Sequence, residues 1–544
     1  MNLVKPDSVT TTGSIARSTT GTYIDSAGVM QTAAINTVRV NYDSYTKEFL
    51  GVLIENASTN LLTYSEQFDS TFNWSKSDVL VTANSILAPN ASMTADKLIA
   101  NTNNTSHYLF TSRSLNQGVT YVFSVYAKAQ ESSLISLWRS VTGGAFLDNR
   151  GVTFNVLNGT IHGITGECFP VIEPAGNGWY RCSILFTPDA TNTAAFGVAN
   201  SSLSNTGGYL DVFAGNGNDG VWIWGAQLEV GSKPTSYIPT VASQVTRAAD
   251  IITGSGLVYT TLTESNPEWS SATTYALGAK VVYGIYGTYQ SLQAGNLNHT
   301  PPITSPFNDA YWVRTGPTNK MAMFDDQISS VSSGTSDIIF AVVASAIDSV
   351  ALLNITASKT NIAVTDKDTK ALVYHNSQQL SGGESLDWYG YFFYDSDTQK
   401  TSSIYLDIPP AANSLITIKV SGTGTVSVGT YVNGQIKSLG GTQYGVSAGI
   451  IDYSRKETDE FGNTTFTKRN FSKRMNASVS LTNSNLNRVQ RILYDLRATP
   501  VLWIASTDAQ FEEPLIIYGF YRDFSTEISY PTHSICNLQV EGLI

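Results

Sequence analysis

Apolar and polar residues alternate in short runs along most of this chain, the period-two signature of half-buried strands. Tyr121 to Lys128 mixes aromatic and β-branched residues at strand length, and Leu134 to Trp138, Val152 to Asn155, Trp179 to Phe186, Ala194 to Val198 and Val221 to Trp224 repeat the theme. Gly, Asn and Ser separate these runs at roughly even spacing, which predicts a two-sheet sandwich over residues 61–245. A second set predicts another sandwich over 318–435: Ile338 to Val343, Asn361 to Val364, Tyr389 to Tyr394, Ile404 to Ile408, Leu415 to Val420 and Thr425 to Val428. The pattern turns helical near the C-terminus, where Leu486, Val489, Ile492, Leu493 and Leu496 recur at helical spacing. Ser484 is the expected N-cap there, and Pro500 the stop.

The remaining segments follow from their turns and breakers. Residues 1–60 read as an extended arm, with a turn at Asp25-Ser26-Ala27-Gly28 between strands Thr22 to Ile24 and Val29 to Thr32. Such an arm is too small for its own core, so it should pack on the next domain or on a neighbouring subunit. After Trp224 the chain passes Gly231, Pro234 and Pro239, which enforce extended backbone and lead out into a linker over 246–266. A compact unit at 267–317 is built on Trp269, Tyr275, Tyr289 and Trp312. Residues 436–544 read as an α+β domain: a hairpin turning at Phe461-Gly462-Asn463, the helix, and strands from Val501, Ile516 and Ile535. The expected fold class is mainly β and multi-domain, with β-sandwiches, one small module and a C-terminal α+β domain.

Composition narrows the chemistry. The chain has 544 residues, too many for one core, and only 14% of them are charged. Its 32 basic and 43 acidic residues leave a net charge of −11, with no concentrated basic patch, which argues against nucleic acid as a partner. Cys168, Cys182 and Cys536 show neither CxxC spacing nor a disulfide framework, and buried free thiols are expected. The apolar run Ile338 to Ile347 is far shorter than a membrane span, and the first residues lack the apolar core of a signal peptide, so no membrane insertion is expected.

Catalytic motifs are sparse. His107, His162, His299, His375 and His533 form no ligand pair, and each reads as a structural or solvated histidine. Glu55, Glu66, Glu173 and Glu229 could supply the two carboxylates of a glycosidase, but spacing places no two of them opposite one another, so structural carboxylates are the alternative. Asp395-Ser396-Asp397 lacks the Gly and Glu of a complete calcium loop. No catalytic residue, metal or cofactor is called for. Aromatics offer more, because sugar C–H faces pack on Trp and Tyr. Trp269, Tyr275, Tyr289 and Trp312 are candidates for glycan binding, although the small module needs them first for its core. Tyr126, Trp138 and Arg139 are candidates for a ligand face on the first sandwich. Trp222 and Trp224 share a face by alternation, so they should be buried or exposed together.

Several stretches resemble a β-sandwich of bacteriophage virion proteins: Ile15 to Tyr23, Gly51 to Glu55, Thr59 to Leu62, Gly176 to Arg181 and Gly220 to Asp250, with the phrase Met321 to Asp326 further on. The order of elements resembles lectin-like jelly rolls, and residues 267–317 resemble chitin-binding-type carbohydrate modules, from which Gly295 to Pro306 departs. The resemblance implies a tail-fibre or baseplate component, assembled in the host cytoplasm into the virion. It further implies a homotrimer with other tail proteins and a host-surface glycan as partners. Two alternatives stand beside the adhesin: a scaffold or head/neck decoration that binds no sugar, and a glycan-degrading tailspike.

Overall fold

The computed structural model describes residues 1–543, apart from 167, 326, 328, 381–398, 411, 459, 509–511 and 529. The expected strand at Tyr389 to Tyr394, the turn at Asp395 to Asp397 and Asp326 lie outside the described residues. The fold is mainly β, and the chain divides into two compact units, Ile15–Ile251 and Met1–Ser14 with Ile252–Ile544.

In the first unit, two six-stranded antiparallel sheets face one another. One runs Phe169–Pro174, Trp179–Phe186, Tyr121–Lys128, Gly220–Val230, Ala95–Ala100, Val79–Ile86. The other runs Thr160–Thr165, Arg150–Asn155, Leu134–Ser140, Asn192–Asn200, Tyr108–Leu115, Ser75–Ser77. Strand alternation decides the core: Phe123, Val125, Leu137, Phe154, Ile184, Phe196, Val221 and Ile223 point between the sheets and are fully buried. A bulge interrupts the pairing between Ser124 and Tyr126, and opposite it Gly225 adopts φ +63°. This extra residue flips the alternation. Trp222 and Trp224 face away from the core with Tyr126, whereas beyond the bulge Ala226 and Leu228 turn inward and leave Gln227 and Glu229 outside.

Trp224, Tyr126, Gln227 and Glu229 are nevertheless buried, because the arm and the exit segment lie over them, whereas Trp222 on the same side stays half-buried, so the two tryptophans do not share one burial as alternation predicts. The arm's hairpin, Gly21–Ile24 with Met30–Ala33, turns at Gly28 as the sequence predicts, and Met30 joins Tyr126, Trp179, Trp224 and Tyr237 in one cluster. Ionic bonds lock this cover. Asp250 accepts from Arg17 Nη1 at 3.1 Å, from Arg39 Nη2 at 2.6 Å and from the Glu55 backbone N–H at 2.9 Å. Arg39 also donates to Glu55 at 2.7 Å, and Arg247 stands 3.5 Å from the same carboxylate. Arg17, Arg39, Arg247 and Asp250 are all at most 3% exposed.

The second unit contains a small module, a sandwich and a C-terminal sheet. Its small module has the three-stranded sheet Lys280–Tyr283, Gly287–Ser291, Trp312–Gly316 and the pair Thr274–Tyr275 with Asn296–Leu297. A sandwich follows, with five strands in one sheet (Gly256–Thr260, Ile338–Ala344, Ser414–Ser421, Lys359–Asp366, Leu372–Gln379) and four in the other. Phe340, Leu352, Ile362, Val364, Ile416, Ile418 and Val428 fill it. The C-terminal sheet takes in the start of the chain: Asn2–Val4 lies between Ile436–Ser438 and Val501–Ile504, with Leu3 opposite Trp503 and fully buried. Its helix spans Leu486–Asp495 and buries Val489 and Leu493. The expected Ser484 cap is not formed. A 3-10 turn over Asn483–Asn485 precedes the helix, and the Ser484 hydroxyl donates instead to Thr482 Oγ1 at 3.2 Å.

Candidate functional site

The structure does not gather Tyr126, Trp138 and Arg139 on one face, which corrects the ligand face read from sequence. Tyr126 belongs to one sheet, Trp138 and Arg139 to the other. Trp138 and Arg139 are neighbours on one strand and therefore point to opposite sides. Trp138 is buried on the outer side, edge-on to Tyr108 at 5.2 Å and Tyr209 at 6.1 Å. Arg139 lies over the Phe146 ring at 4.1 Å and pairs with Asp148 at 2.9 Å. Tyr126 is covered by the arm and by Tyr237, under Arg181, whose guanidinium stands 5.2 Å from the ring centroid. A recess of about 240 Å³ remains beside it, lined by Asn41, Glu55, Glu173, Arg181 and Ser236 among others.

The candidate carboxylates are largely committed to holding the chain together. Glu229 is fully buried and accepts from Ser58 at 2.5 Å, Gln227 at 2.7 Å and Thr235 at 2.7 and 2.8 Å. Burial pushes the Glu55 carboxyl up, but Arg39, Arg247 and Ser236 outweigh it and hold the group below its usual range. Burial lifts Glu66, whose carboxylate accepts from Tyr237 at 3.1 Å. Cys168, Cys182 and Cys536 are buried free thiols.

In the small module the four aromatic candidates divide. Tyr275, Tyr289 and Trp312 are 7%, 0% and 0% exposed and make the core with Val281. They also pin the loop: Trp312 Nε1 donates to the His299 carbonyl at 2.6 Å, and the Tyr289 hydroxyl to the Pro302 carbonyl at 2.6 Å. This loop is the segment Gly295 to Pro306 that departs from the chitin-binding pattern, so the departure lies over the core aromatics and leaves them enclosed.

Trp269 is placed differently. Its backbone N–H donates to Val282 at 2.8 Å and the Val282 N–H returns to Pro267 at 2.9 Å, strapping it along strand Lys280–Tyr283. Its ring is half-buried, edge-on to Tyr283 at 5.5 Å. Tyr283 is followed at 5.9 Å by Tyr286, 44% exposed and tilted by 37°. The turn between them passes through Gly284 at φ +51°, whose N–H donates to the Glu268 carboxylate at 2.6 Å. The Tyr286 carbonyl accepts from Arg314 Nε at 2.9 Å. The Trp269 indole nitrogen is itself buried and has no hydrogen-bond partner among the described residues, so only the ring's exposed part faces outward. The result is a fixed row of three rings with polar groups beside it. Such a surface suits a sugar chain, whose C–H faces pack on rings and whose hydroxyls take donors. Sequence reasoning singled out Trp269 but missed Tyr283 and Tyr286. The alternation Val281, Tyr283 and the turn residue Gly284 were the available signal.

No protein-family model matches the chain, and no curated protein resembles it in sequence. Among solved structures, it is similar to the N-terminal CBM22-1–CBM22-2 tandem domain of Paenibacillus barcinonensis Xyn10C, at 9% identity, covering 70% of this chain and 99% of that one, TM-score 0.21. TmCBM27, a carbohydrate-binding module described for specific mannan recognition, matches at 11% identity over 33% of this chain and 98% of that one, TM-score 0.18. The CBM22-1–GH10 modules of Clostridium thermocellum xylanase 10B, complexed with xylohexaose, match at 11% identity over 34% of this chain and 30% of that one, TM-score 0.20. At these scores the likeness carries no functional argument, and function rests on the chain's own geometry.

Proposed function

We propose that this chain is a non-enzymatic glycan-binding protein, and that it serves as an adhesin on a bacteriophage tail fibre or baseplate. The observation that carries the glycan reading is the partly exposed row of rings Trp269, Tyr283 and Tyr286. Support for the virion reading comes from the stretches Ile15 to Tyr23, Gly51 to Glu55 and Gly220 to Asp250, whose resemblance to virion sandwiches coincides with the buried ionic closure. Weak sugar contacts repeated over several copies would add through effective concentration. Calorimetry of the intact chain against host lipopolysaccharide, cell wall and chitooligosaccharides tests the first part. Saturable binding that weakens in Trp269→Ala and Tyr286→Ala is expected, and no binding to any of them sinks the glycan reading. Gold-labelled antibodies to 61–245 and 436–544 on virions test the second, and label confined to head or neck overturns the tail assignment.

One observation favours a second reading, a scaffold without sugar binding. The outward aromatics of the first sandwich, Tyr126, Trp138 and Trp224, are at most 5% exposed beneath the chain's own segments. A sandwich with its faces covered in this way serves as a rigid spacer.

A further inference from the structure

The recess of about 240 Å³ beside Tyr126 holds polar groups that the fold itself does not use. Tyr126, Arg181 and Glu173 stand side by side on three neighbouring strands, and all three line the recess. Tyr126 is 5% exposed, and its hydroxyl makes no hydrogen bond among the described residues. Burial pushes its pKa above the usual value, Arg181 opposes that and Glu173, Glu229 and Glu55 add to it, so the group stays a neutral O–H. Three of those four charged residues line the recess, which turns the hydroxyl towards it. Arg181 is 8% exposed, and its Nη1 donates to the Thr235 carbonyl at 2.6 Å. Its Nε and Nη2 donate to the Ser124 hydroxyl at 3.3 and 3.1 Å, which leaves one N–H on each η nitrogen over. Glu173 is exposed and directly opposite Arg181, a placing that favours an ion pair. No such pair forms among the described residues, because Ser124, on the strand at the other side, draws the guanidinium over the Tyr126 ring.

A buried hydroxyl and a buried cation with hydrogen-bonding capacity to spare, beside an unpaired carboxylate, call for a polar ligand. The surrounding charges select its kind. Glu55 is matched by Arg39 at 2.7 Å and Arg247 at 3.5 Å, and Glu229 accepts from Ser58, Gln227 and Thr235. Lys47, next to the lining residue Ser44, donates to the Ser44 carbonyl at 2.8 Å and acts on Asp43. Among the described residues this leaves Arg181 and Glu173 as the unmatched charges of the recess, one of each sign. A ligand of either net charge meets a like charge there, whereas a neutral one meets both a donor and an acceptor. Ile24, Met30 and Pro89 set apolar wall between the polar groups. Pockets for drug-sized ligands run to about 300–1,000 Å³, so this smaller space suits one ring that carries both C–H faces and hydroxyls. We propose that the recess binds a single neutral pyranose, whose hydroxyls donate to Glu173 and accept from Arg181 and Tyr126. The site lies within Ile15–Ile251 and stands whether or not the ring row at Trp269 takes sugar.

The test is saturation-transfer NMR of the full chain with the methyl pyranosides of glucose, galactose, mannose and N-acetylglucosamine, and with glycine as a zwitterionic control. Saturable transfer to at least one pyranoside is expected. Titration should show that binding weakened about three- to tenfold in Tyr126→Phe, which removes one hydrogen bond, and tenfold or more in Glu173→Ala, which removes a charged acceptor. Neither the Tyr126 hydroxyl nor the Glu173 carboxylate bonds to the rest of the described chain, so both variants should keep the wild-type melting temperature. No transfer to any of the four pyranosides overturns the proposal. Transfer that both variants leave unchanged and Trp269→Ala abolishes belongs to the ring row, and overturns it too. Binding of glycine with no pyranoside bound would make the recess an amino-acid site and likewise overturn it.

Discussion

Replacing Asp250 with Asn removes one negative charge from the point where the arm is held to the exit segment, and keeps the side chain's shape. Asp250 is 3% exposed and accepts from two buried guanidiniums, Arg17 at 3.1 Å and Arg39 at 2.6 Å, and from the Glu55 backbone N–H. With the charge gone, Arg17 has no other carboxylate partner among the described residues, while Arg39 keeps Glu55 at 2.7 Å. Removing one partner of a buried ion pair costs about 3–5 kcal/mol. Asn retains one acceptor oxygen, so the expected loss is at the lower end, about 3 kcal/mol. For a domain of this size each kcal/mol moves Tm by about 2–4 °C, so the transition of the first unit should fall by roughly 6–12 °C. Scanning calorimetry of the full chain reads it, and the transition belonging to residues 252–544 should not move. A shift of the first transition by less than about 2 °C would refute the claim that this network closes the arm. Arg39→Met separates the charge effect from packing, because it removes the hub and keeps the aliphatic bulk.

Other outcomes follow from the same structure. Trp269→Ala should weaken glycan binding about three- to tenfold in calorimetry, the worth of one ring contact, while Trp312→Ala should unfold the small module. Glu55 titrates below its usual range when folded, so its contribution is fully present above the unfolded value near 4.5 and is lost as pH falls through the lower folded value. Urea midpoints should therefore drop below pH 4.5 in the wild type and much less in Glu55→Gln. Gly225→Ala places a methyl 3.0 Å from the Tyr126 ring and 3.2 Å from Tyr237 at φ +63°, and should cost about 1–3 kcal/mol in chemical denaturation. Leu3→Ala, at a fully buried position opposite Trp503, should cost about 2–5 kcal/mol and raise hydrogen exchange at Leu502 and Ile504.

Much of the architecture was legible because strand alternation is a local property. Tyr121 to Lys128 and Val221 to Trp224 carry their facing in their own spacing, and the structure keeps both as strands. The turn at Gly28 and the hairpin around Gly462 were legible for the same reason, since a glycine at positive φ marks a turn. The helix was legible from its spacing and its cap was not, because Ser484 has a competing partner in Thr482.

What only the tertiary structure decided is which of those faces meets water. Trp222 and Trp224 share a side by sequence alone, yet Met30 of the arm and Tyr237 of the exit segment bury Trp224 and leave Trp222 half-buried. Arg17 and Asp250 stand 233 residues apart, and nothing local pairs them. Tyr275, Tyr289 and Trp312 could not be told from Trp269 by type or spacing. The loop that lies over the first three fixes their role, and Trp269 on the sheet edge escapes it. The chain determined its strands because backbone geometry is set by neighbours. Burial, and with it the candidate site, was set by contacts between segments far apart in sequence, where packing and desolvation decide the side that stays open.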